Sequence, residues 1–589
     1  MPKKRKDCFL GIHFDFHAMP GEVVAHHFDP DVFCEMLDRV KPDFMQFDTK
    51  GHAGLSSYPT AAGTQATEIR QDMLRFLREE TEKRDIALYG HHSGLYDQQV
   101  IQDHPDWAVI NADGTRSDSF LSPFSPYVDE ILIPQLKELA LDYKLNGAWV
   151  DGDAWGTYVD YSLWAQSAYG KTAPRPGEAD YEAYREFCRQ GFFQYVSRYL
   201  EALKTVAPDF EITSNWIFSP HMPHPVCVPV DYLSGDYDCS NAVVSGRRNG
   251  RFFAARGLTW DLMSWGQNAI PLSWSTHNRT TKGTAQYMQE AASIVALGGG
   301  YQFFNIAYCA GGYIQRWALP IWEETAKFCR ERQICHGAKP WSNIAVMVPN
   351  IPTRESDACL FRTDSPGMLA YYAWMDALCE CGFSPDVFFE SELDKANLSE
   401  YDLLILPTPA KIPESYTGSI ILDGGGETRL AWLSDGERLA AMEVGMSPKA
   451  GEPFGEIYSE NYFEHDSIPT PSAYKDGNTF RLAFDFAAAY RSNVSTVIKN
   501  WLKNLIDATD ILLPVQVSGS SFVEVVTTRK GNDLLVSLIN MNGDHRRPEV
   551  RSFDEIPPLY NLTLRVGEEV RPIPRLDIHT LEVFKDYFL

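Results

Sequence analysis

From residue 8 to about residue 335, short apolar runs alternate with amphipathic stretches. The apolar runs fall at 8–16, 44–48, 86–89, 147–150, 211–216, 232–235, 258–263 and 301–306. Between them, 31–39, 71–83, 127–141, 181–205 and 281–297 repeat apolar residues at helical spacing. A strand covered on both faces reads as a continuous apolar run, and a helix lying on a sheet shows one apolar stripe. Eight such strands with intervening helices predict a parallel (β/α)8 TIM barrel over 1–338.

Beyond Pro340 the pattern changes. Residues 343–349, 385–389, 401–406 and 420–426 read as strands and 366–381 as a helix, which predicts a flavodoxin-like α/β domain over 339–510. Its glycines at 424–426 lack the spacing of a dinucleotide-binding turn. Residues 443–478 are polar and read as surface loops, and 491–508 reads as an amphipathic helix. From 511 to 589 the period becomes two, at 522–528, 533–539, 560–564 and 576–584. Lys530-Gly-Asn-Asp533 marks a tight turn between two of these runs, so the chain is expected to end in a small antiparallel β-sandwich.

Charge narrows the partners. Lys plus Arg is 53 and Asp plus Glu is 79, so the net charge is 53 − 79 = −26. A chain this acidic repels polyanions, which argues against nucleic acid and anionic membranes. No apolar run is long enough to cross a bilayer. The 11 cysteines are scattered without a repeating spacing, which fits a reducing, cytoplasmic setting and no zinc ribbon. The basic start at 2–6 lacks the apolar core of a signal peptide and reads as a solvated tail. The 14 Trp fit stacking against sugar faces.

Chemistry in a (β/α)8 barrel sits at the C-terminal ends of the strands. There the sequence offers His13, Asp15 and His17; Asp48, Lys50 and His52; His91 and His92; Asp151, Asp153 and Trp155; Asn215 and Trp216; Asp236 and Asp238; Trp260, Asp261 and Trp265; and Asn305. A run of apolar residues ending in Trp149-Val-Asp151-Gly-Asp153 makes Asp151 a candidate nucleophile beside aromatic, sugar-stacking residues. The competing reading is a loop whose aspartates cap the next helix.

These residues resemble the family 29 α-L-fucosidases. Lys50-Gly-His52-Ala-Gly54-Leu stands where that family has Lys-His-His-Asp-Gly-Phe, and Trp149-Val-Asp151-Gly152 resembles its Trp-Phe-Asp-Gly motif, whose aspartate is the nucleophile. Trp260-Asp-Leu, Trp265 or Trp274, Gly298–Gly300 and Asn305-Ile306 follow in the family's order. The opening Leu10-Gly-Ile-His-Phe-Asp-Phe-His17 is similar to its first strand, with Asp15 in the histidine's place or the histidine two places later. Gly51, Ala53 and Asp261 depart from the pattern. The resemblance implies a retaining, exo-acting α-glycosidase with Asp151 as nucleophile, no cofactor and no metal. The layout after the barrel resembles family 42 β-galactosidases, which implies a homo-oligomer, with a trimer as the example.

A retaining glycosidase needs a second carboxyl about 5 to 5.5 Å from the first. Asp261 fits the fucosidase-like motif. Asp236 fits α-galactosidase-like barrels, which pair aspartates after strands 4 and 6. His17, Asp15, Lys50, His52, His91, His92 and Asp153 are the expected hydroxyl-binding groups. Trp155, Trp216, Trp260 and Trp274, with Asn305, complete the expected substrate site. Two other classes stay open. One is a metal-dependent hydrolase of the amidohydrolase type, using His13 and His17 or the pair His91-His92; the other is a non-catalytic carbohydrate-binding protein. A β-galactosidase-like site is excluded, because no glutamate follows strand 4 or strand 7.

Overall fold

The computed structural model describes residues 2–153, 159–215, 226–237, 242–269, 279–305, 310–349, 366–394, 396–423, 452–457, 470–492, 494, 496–543, 553 and 555–589. Eight parallel strands form the first sheet: β1 (Leu10–Phe14), β2 (Phe44–Lys50), β3 (Ala87–Ser93), β4 (Gly147–Asp151), β5 (Glu211–Ser214), β6 (Leu233–Asp236), β7 (Trp260–Trp265) and β8 (Gly300–Asn305). Their order is β6-β7-β8-β1-β2-β3-β4-β5. Among the described residues the seam between β5 and β6 carries no ladder. Asp231 bridges it instead: its backbone N–H donates to Ile212 O at 3.0 Å and its carboxylate accepts from Ile212 N at 2.7 Å. The sheet is thus a nearly closed barrel, as the alternation predicts.

Helices α1 (Pro30–Val40), α2 (Met73–Lys83), α3 (Ile133–Leu141), α4 (Tyr181–Val206), α5 (Ala242–Ala254), α6 (Thr284–Ala296) and α7 (Leu319–Arg330) lie between and after the strands. Their starts are chemically marked. Asp29 caps α1 by accepting from Asp31 N and Val32 N with Pro30 in the first turn, and Asp72 caps α2. Buried faces of these helices and the outward side chains of the strands form one continuous core.

The lower, N-terminal mouth of the barrel is closed by the chain's own beginning. Arg5 is buried, its guanidinium 3.4 Å from the ring centre of Phe44 and within 5 Å of those of Tyr89 and Tyr232. It donates from Nε and Nη2 to the two oxygens of Asp261, at 2.8 and 3.0 Å. Lys3 and Lys4 reach the backbone carbonyls of Asp85 and Asp209. The basic start is therefore a plug, which corrects its reading as a solvated tail.

The second sheet runs β10-β9-β11-β12-β15-β14-β13. Its strands are β9 (Ile344–Val348), β10 (Asp386–Phe389), β11 (Leu403–Leu406), β12 (Ser419–Leu422), β13 (Glu452–Ile457), β14 (Thr470–Asp476) and β15 (Thr479–Leu482). The first five in that order are parallel, and β14 and β13 are added antiparallel. These two strands lie inside the polar stretch expected to be loops; pairing supplied order that composition alone did not signal. Helices α8 (Pro366–Glu380) and α9 (Thr496–Asp507) belong to this unit.

The last unit has two antiparallel sheets around an apolar core. One joins Lys339–Pro340 to β17 (Val523–Lys530), β18 (Asp533–Asn540) and β21 (His579–Phe584). The other joins β16 (Val515–Ser518), β19 (Leu559–Val566) and β20 (Glu569–Leu576). Gly531, at φ +63°, makes the β17–β18 turn in a conformation open to glycine.

Candidate active site

Side chains alternate across each barrel strand, so every second residue enters the interior. Gln46 and Asp48 enter from β2, Tyr89 and His91 from β3, and Trp149 and Asp151 from β4. Trp149, Met263, Trp265 and Phe304 pack together as an apolar floor, with Trp149 Nε1 donating to Ser234 O at 2.9 Å. Above this floor lie the ionisable groups.

Asp151 ends β4 and is 7% exposed. His91 Nε2 donates to its Oδ2 at 2.9 Å, and His52 Nε2 stands 3.3 Å from the same oxygen. Asn215 Nδ2 donates to the other oxygen. Burial opposes ionisation of Asp151, but the imidazoles of His52 and His91 outweigh it and hold the carboxyl well below its usual range. His91 passes its second nitrogen, Nδ1, to His13 Nε2 at 2.9 Å, and His13 Nδ1 lies 3.1 Å from Met263 Sδ. Burial keeps His13 neutral; it lowers the affinity of His91 for a proton too, but the bond to Asp151 reverses that and raises it. Ser93 Oγ is 2.8 Å from His52 Nδ1, which leaves His52 Nε2–H facing Asp151. Buried and near two other imidazoles, His52 titrates low, at about 4.

Asp236 ends β6. Burial, and then the charge of Asp151, push its carboxyl up to about 7. Its Oδ1 is buried without a hydrogen bond among the described residues. On the other side, His17 Nε2 stands 2.8 Å from Asp15 Oδ1 and 3.8 Å from Asp48 Oδ2. Gly51 backs this ring: a Cβ there would come within 2.7 Å of His17 Cγ, so the imidazole fills the space a side chain at 51 would take.

Five expected site residues are elsewhere or otherwise engaged. Asp261 is at the opposite, N-terminal end of the barrel, bound to Arg5, Ser234 and Gln302. The expected strand at 258–263 in fact spans Trp260–Trp265, which puts Asp261 at its start. Trp260, its neighbour, stacks on Phe253 in the core. Lys50 donates to Asp97, Tyr127 and Gln135 and is wholly buried. His92 points away from the barrel interior, between Thr49 Oγ1 and Gln135 Oε1, each at 3.0 Å. Asp153 accepts from Ser214, Tyr195 and Tyr199, tying β4 to α4, and burial raises it to about 7. Trp155, Trp216 and Trp274 lie outside the described residues, as does the side chain of Asn305. Conversely, the interior position of Asp48, the bond from Asn215 and the half-buried ring of Tyr96, 4.4 Å from that of His52, are not marked by motif. Period two along β2 places Asp48 on the face of Gln46; Tyr96 has no such signal.

Asp15, His17 and His91 bring one ligand atom each to within 4.8 Å of one another. Both nitrogens of His91 are already engaged by Asp151 and His13, so it has no lone pair to give a metal. His91 and His92 face opposite sides of β3 and do not form a ligand pair. His13 is likewise occupied at both nitrogens. The geometry is that of carboxyls and imidazoles gathered at the C-terminal end of the barrel strands.

A barrel with this end is the scaffold of a glycoside hydrolase. The family model of Alpha-L-fucosidase matches residues 3–319, and the chain belongs to that family. It is a fucosidase-like glycoside hydrolase acting on carbohydrate. No curated protein sequence matches it. Among solved structures, α-L-fucosidase isoenzyme 2 from Paenibacillus thiaminolyticus is similar over 98% of this chain and 99% of its own, at 13% identity and a TM-score of 0.78. The cold-adapted β-galactosidase from Rahnella sp. R3 is similar over 98% of each chain, at 12% identity and a TM-score of 0.63. The β-galactosidase from the haloarchaeon Halorubrum lacusprofundi is similar over 96% of this chain and 100% of its own, at 12% identity and a TM-score of 0.62. At these identities the likeness speaks for the fold, including the units that follow the barrel.

Proposed function

We propose that the chain is a retaining, exo-acting α-L-fucosidase in which Asp151 attacks the anomeric carbon and Asp236 serves as acid and base. One observation carries this reading. At the same end of the barrel, one carboxyl is held ionised by imidazoles and another, on β6, is held up to about 7 with the first as one cause. Two carboxyls whose environments drive their proton affinities apart are the requirement for nucleophile and acid. Asp236 protonates the departing oxygen; the carboxylate of Asp151 bonds to the sugar; Asp236, now ionised, takes a proton from water that releases the sugar with its configuration kept.

The test is hydrolysis of 4-nitrophenyl α-L-fucoside, followed by NMR of the first anomer released. Retention is expected, with activity falling above about pH 7 as Asp236 loses its proton. Asp151→Asn should abolish turnover, and Asp236→Asn should lower kcat by roughly 10²- to 10⁴-fold. Full activity in Asp151→Asn, or inversion, would overturn the mechanism. The β4–β6 placement of the pair favours including an α-galactoside in the panel; turnover of that substrate alone would reassign the sugar.

A further inference from the structure

Asp48 is a carboxyl the mechanism above does not use. It is wholly buried, and neither oxygen has a hydrogen bond among the described residues. A buried carboxyl without a hydrogen bond costs stability, so its retention calls for a reason. It enters the barrel in register with His91, one layer above Gln46, and its nearest opposite charge is His17, at 3.8 Å. The His17 ring is held by charge and packing: Asp15 and Asp48 lie toward Nε2, which is buried without a hydrogen bond among the described residues, and Gly51 lies against its carbon face. Nδ1, the other ring nitrogen, makes no hydrogen bond among the described residues and is not among the buried atoms, and the side chain is 14% exposed. It is the N–H that this ring offers to the pocket.

We propose that Asp48 is a positioning residue for substrate binding: with Asp15 it clamps His17 so that Nδ1–H donates to a hydroxyl of the bound sugar. The proposal rests on the glycosidase reading above. The charges that face His17 are Asp15 on its own segment, Asp48 and His52 from β2 and its loop, His91 from β3 and Asp151 from β4. Burial disfavours a proton on His17, yet Asp15 and then Asp48 outweigh it and raise the imidazole to about 10. Asp48 itself is raised to about 7, chiefly by burial. Above that pH it is ionised and holds His17 charged; without it, His17 loses its proton earlier, and Nδ1–H is no longer assured.

Two measurements on the full chain test this. Histidine side-chain NMR, with His17 assigned by its loss in His17→Gln, needs no substrate. In Asp48→Asn, His17 should titrate about two pH units below its wild-type midpoint. An unchanged midpoint overturns the clamp. Second, KM for 4-nitrophenyl α-L-fucoside should stay flat to pH 9 in the wild type and rise roughly tenfold by pH 9 in Asp48→Asn, with kcat at each pH close to that of the wild type. Gly51→Ala, which displaces His17 and leaves Asp48 in place, should raise KM similarly. KM–pH profiles that superpose would overturn the binding role. Silence of the wild type on the fucoside would overturn the choice of sugar, which the NMR titration does not touch.

Discussion

A carboxyl held up to about 7 in the folded chain is useful to catalysis and costly to the fold. Unfolded, an aspartate ionises near 3.9; folded, Asp236 keeps its proton to about 7. Its contribution to stability is complete below about pH 4 and is lost as pH rises through 7. Asp236→Asn removes that loss, because an amide needs no proton. The variant should therefore be more stable than the wild type at pH 8, by about 1 to 3 kcal/mol, and equal to it near pH 4. Scanning calorimetry at the two pH values measures this. A variant that is inactive yet no more stable at pH 8 would mean that Asp236 is ionised at neutral pH, and its proposed role as the acid would fall. This opposition of activity and stability is common where sites hold charges in unfavourable places.

At the scale of elements, register decides which acid reaches the C-terminal end of the barrel. Asp151 and Asp261 both sit in barrel strands and both follow tryptophan within a short motif. Asp151 is the last residue of β4, whereas Asp261 is the second of β7, and parallel strands put these at opposite ends of the barrel. Arg5→Met should therefore cost about 3 to 5 kcal/mol, by leaving Asp261 buried and unpaired, while kcat/KM in the folded enzyme stays unchanged. Adding Asp261→Leu should recover most of the stability. Denaturation in urea with parallel assays checks both; a large fall in kcat with Asp261→Leu would return Asp261 to the site. The same register explains what the sequence could tell. Apolar runs marked all eight strands, because a strand covered on both faces is apolar over much of its length. Their ends were less legible: an apolar run does not state where pairing stops, and β7 runs on to Trp265 through Ser264. Direction within a strand was legible only by counting twos. His91 faces in and His92 out, and nothing in the dipeptide itself says so. Arg5 was invisible for a different reason: a basic run reads as solvated, and it takes the carboxylate of Asp261 together with the rings of Phe44, Tyr89 and Tyr232 to make burial of a guanidinium tolerable.

At the scale of the molecule, helix α5 of the barrel is where the three units meet. Arg247 Nε and Arg251 Nη1 donate to the two oxygens of Glu524 on β17, at 2.7 and 3.0 Å. Arg251 Nε reaches Pro385 O beside β10, and Arg248 pairs with Asp376 on α8. Glu524, Arg247 and Arg251 are all buried. Burial opposes the charge on Glu524, but the two guanidiniums outweigh it and hold the carboxyl below its usual range. A carboxyl lowered in this way stabilises the fold above its unfolded value, near 4.3, and the contribution is lost as pH falls through the folded value. A buried pair adds little over a well-packed apolar contact, yet removing one partner leaves the other uncompensated. Glu524→Gln should thus cost about 3 to 5 kcal/mol at pH 7 and progressively less in acid. Because the lost contacts join units, the calorimetric trace should also separate, with the sandwich melting ahead of the barrel. Wild-type stability in Glu524→Gln, or a loss independent of pH, would mean that the units are joined by their apolar contacts alone. Those contacts exist, with Val526, Leu535 and Ile539 of the sandwich packed into the barrel's own core. Apolar packing gives adhesion without direction, and the fork of two arginines on one carboxylate fixes how the sandwich sits on α5.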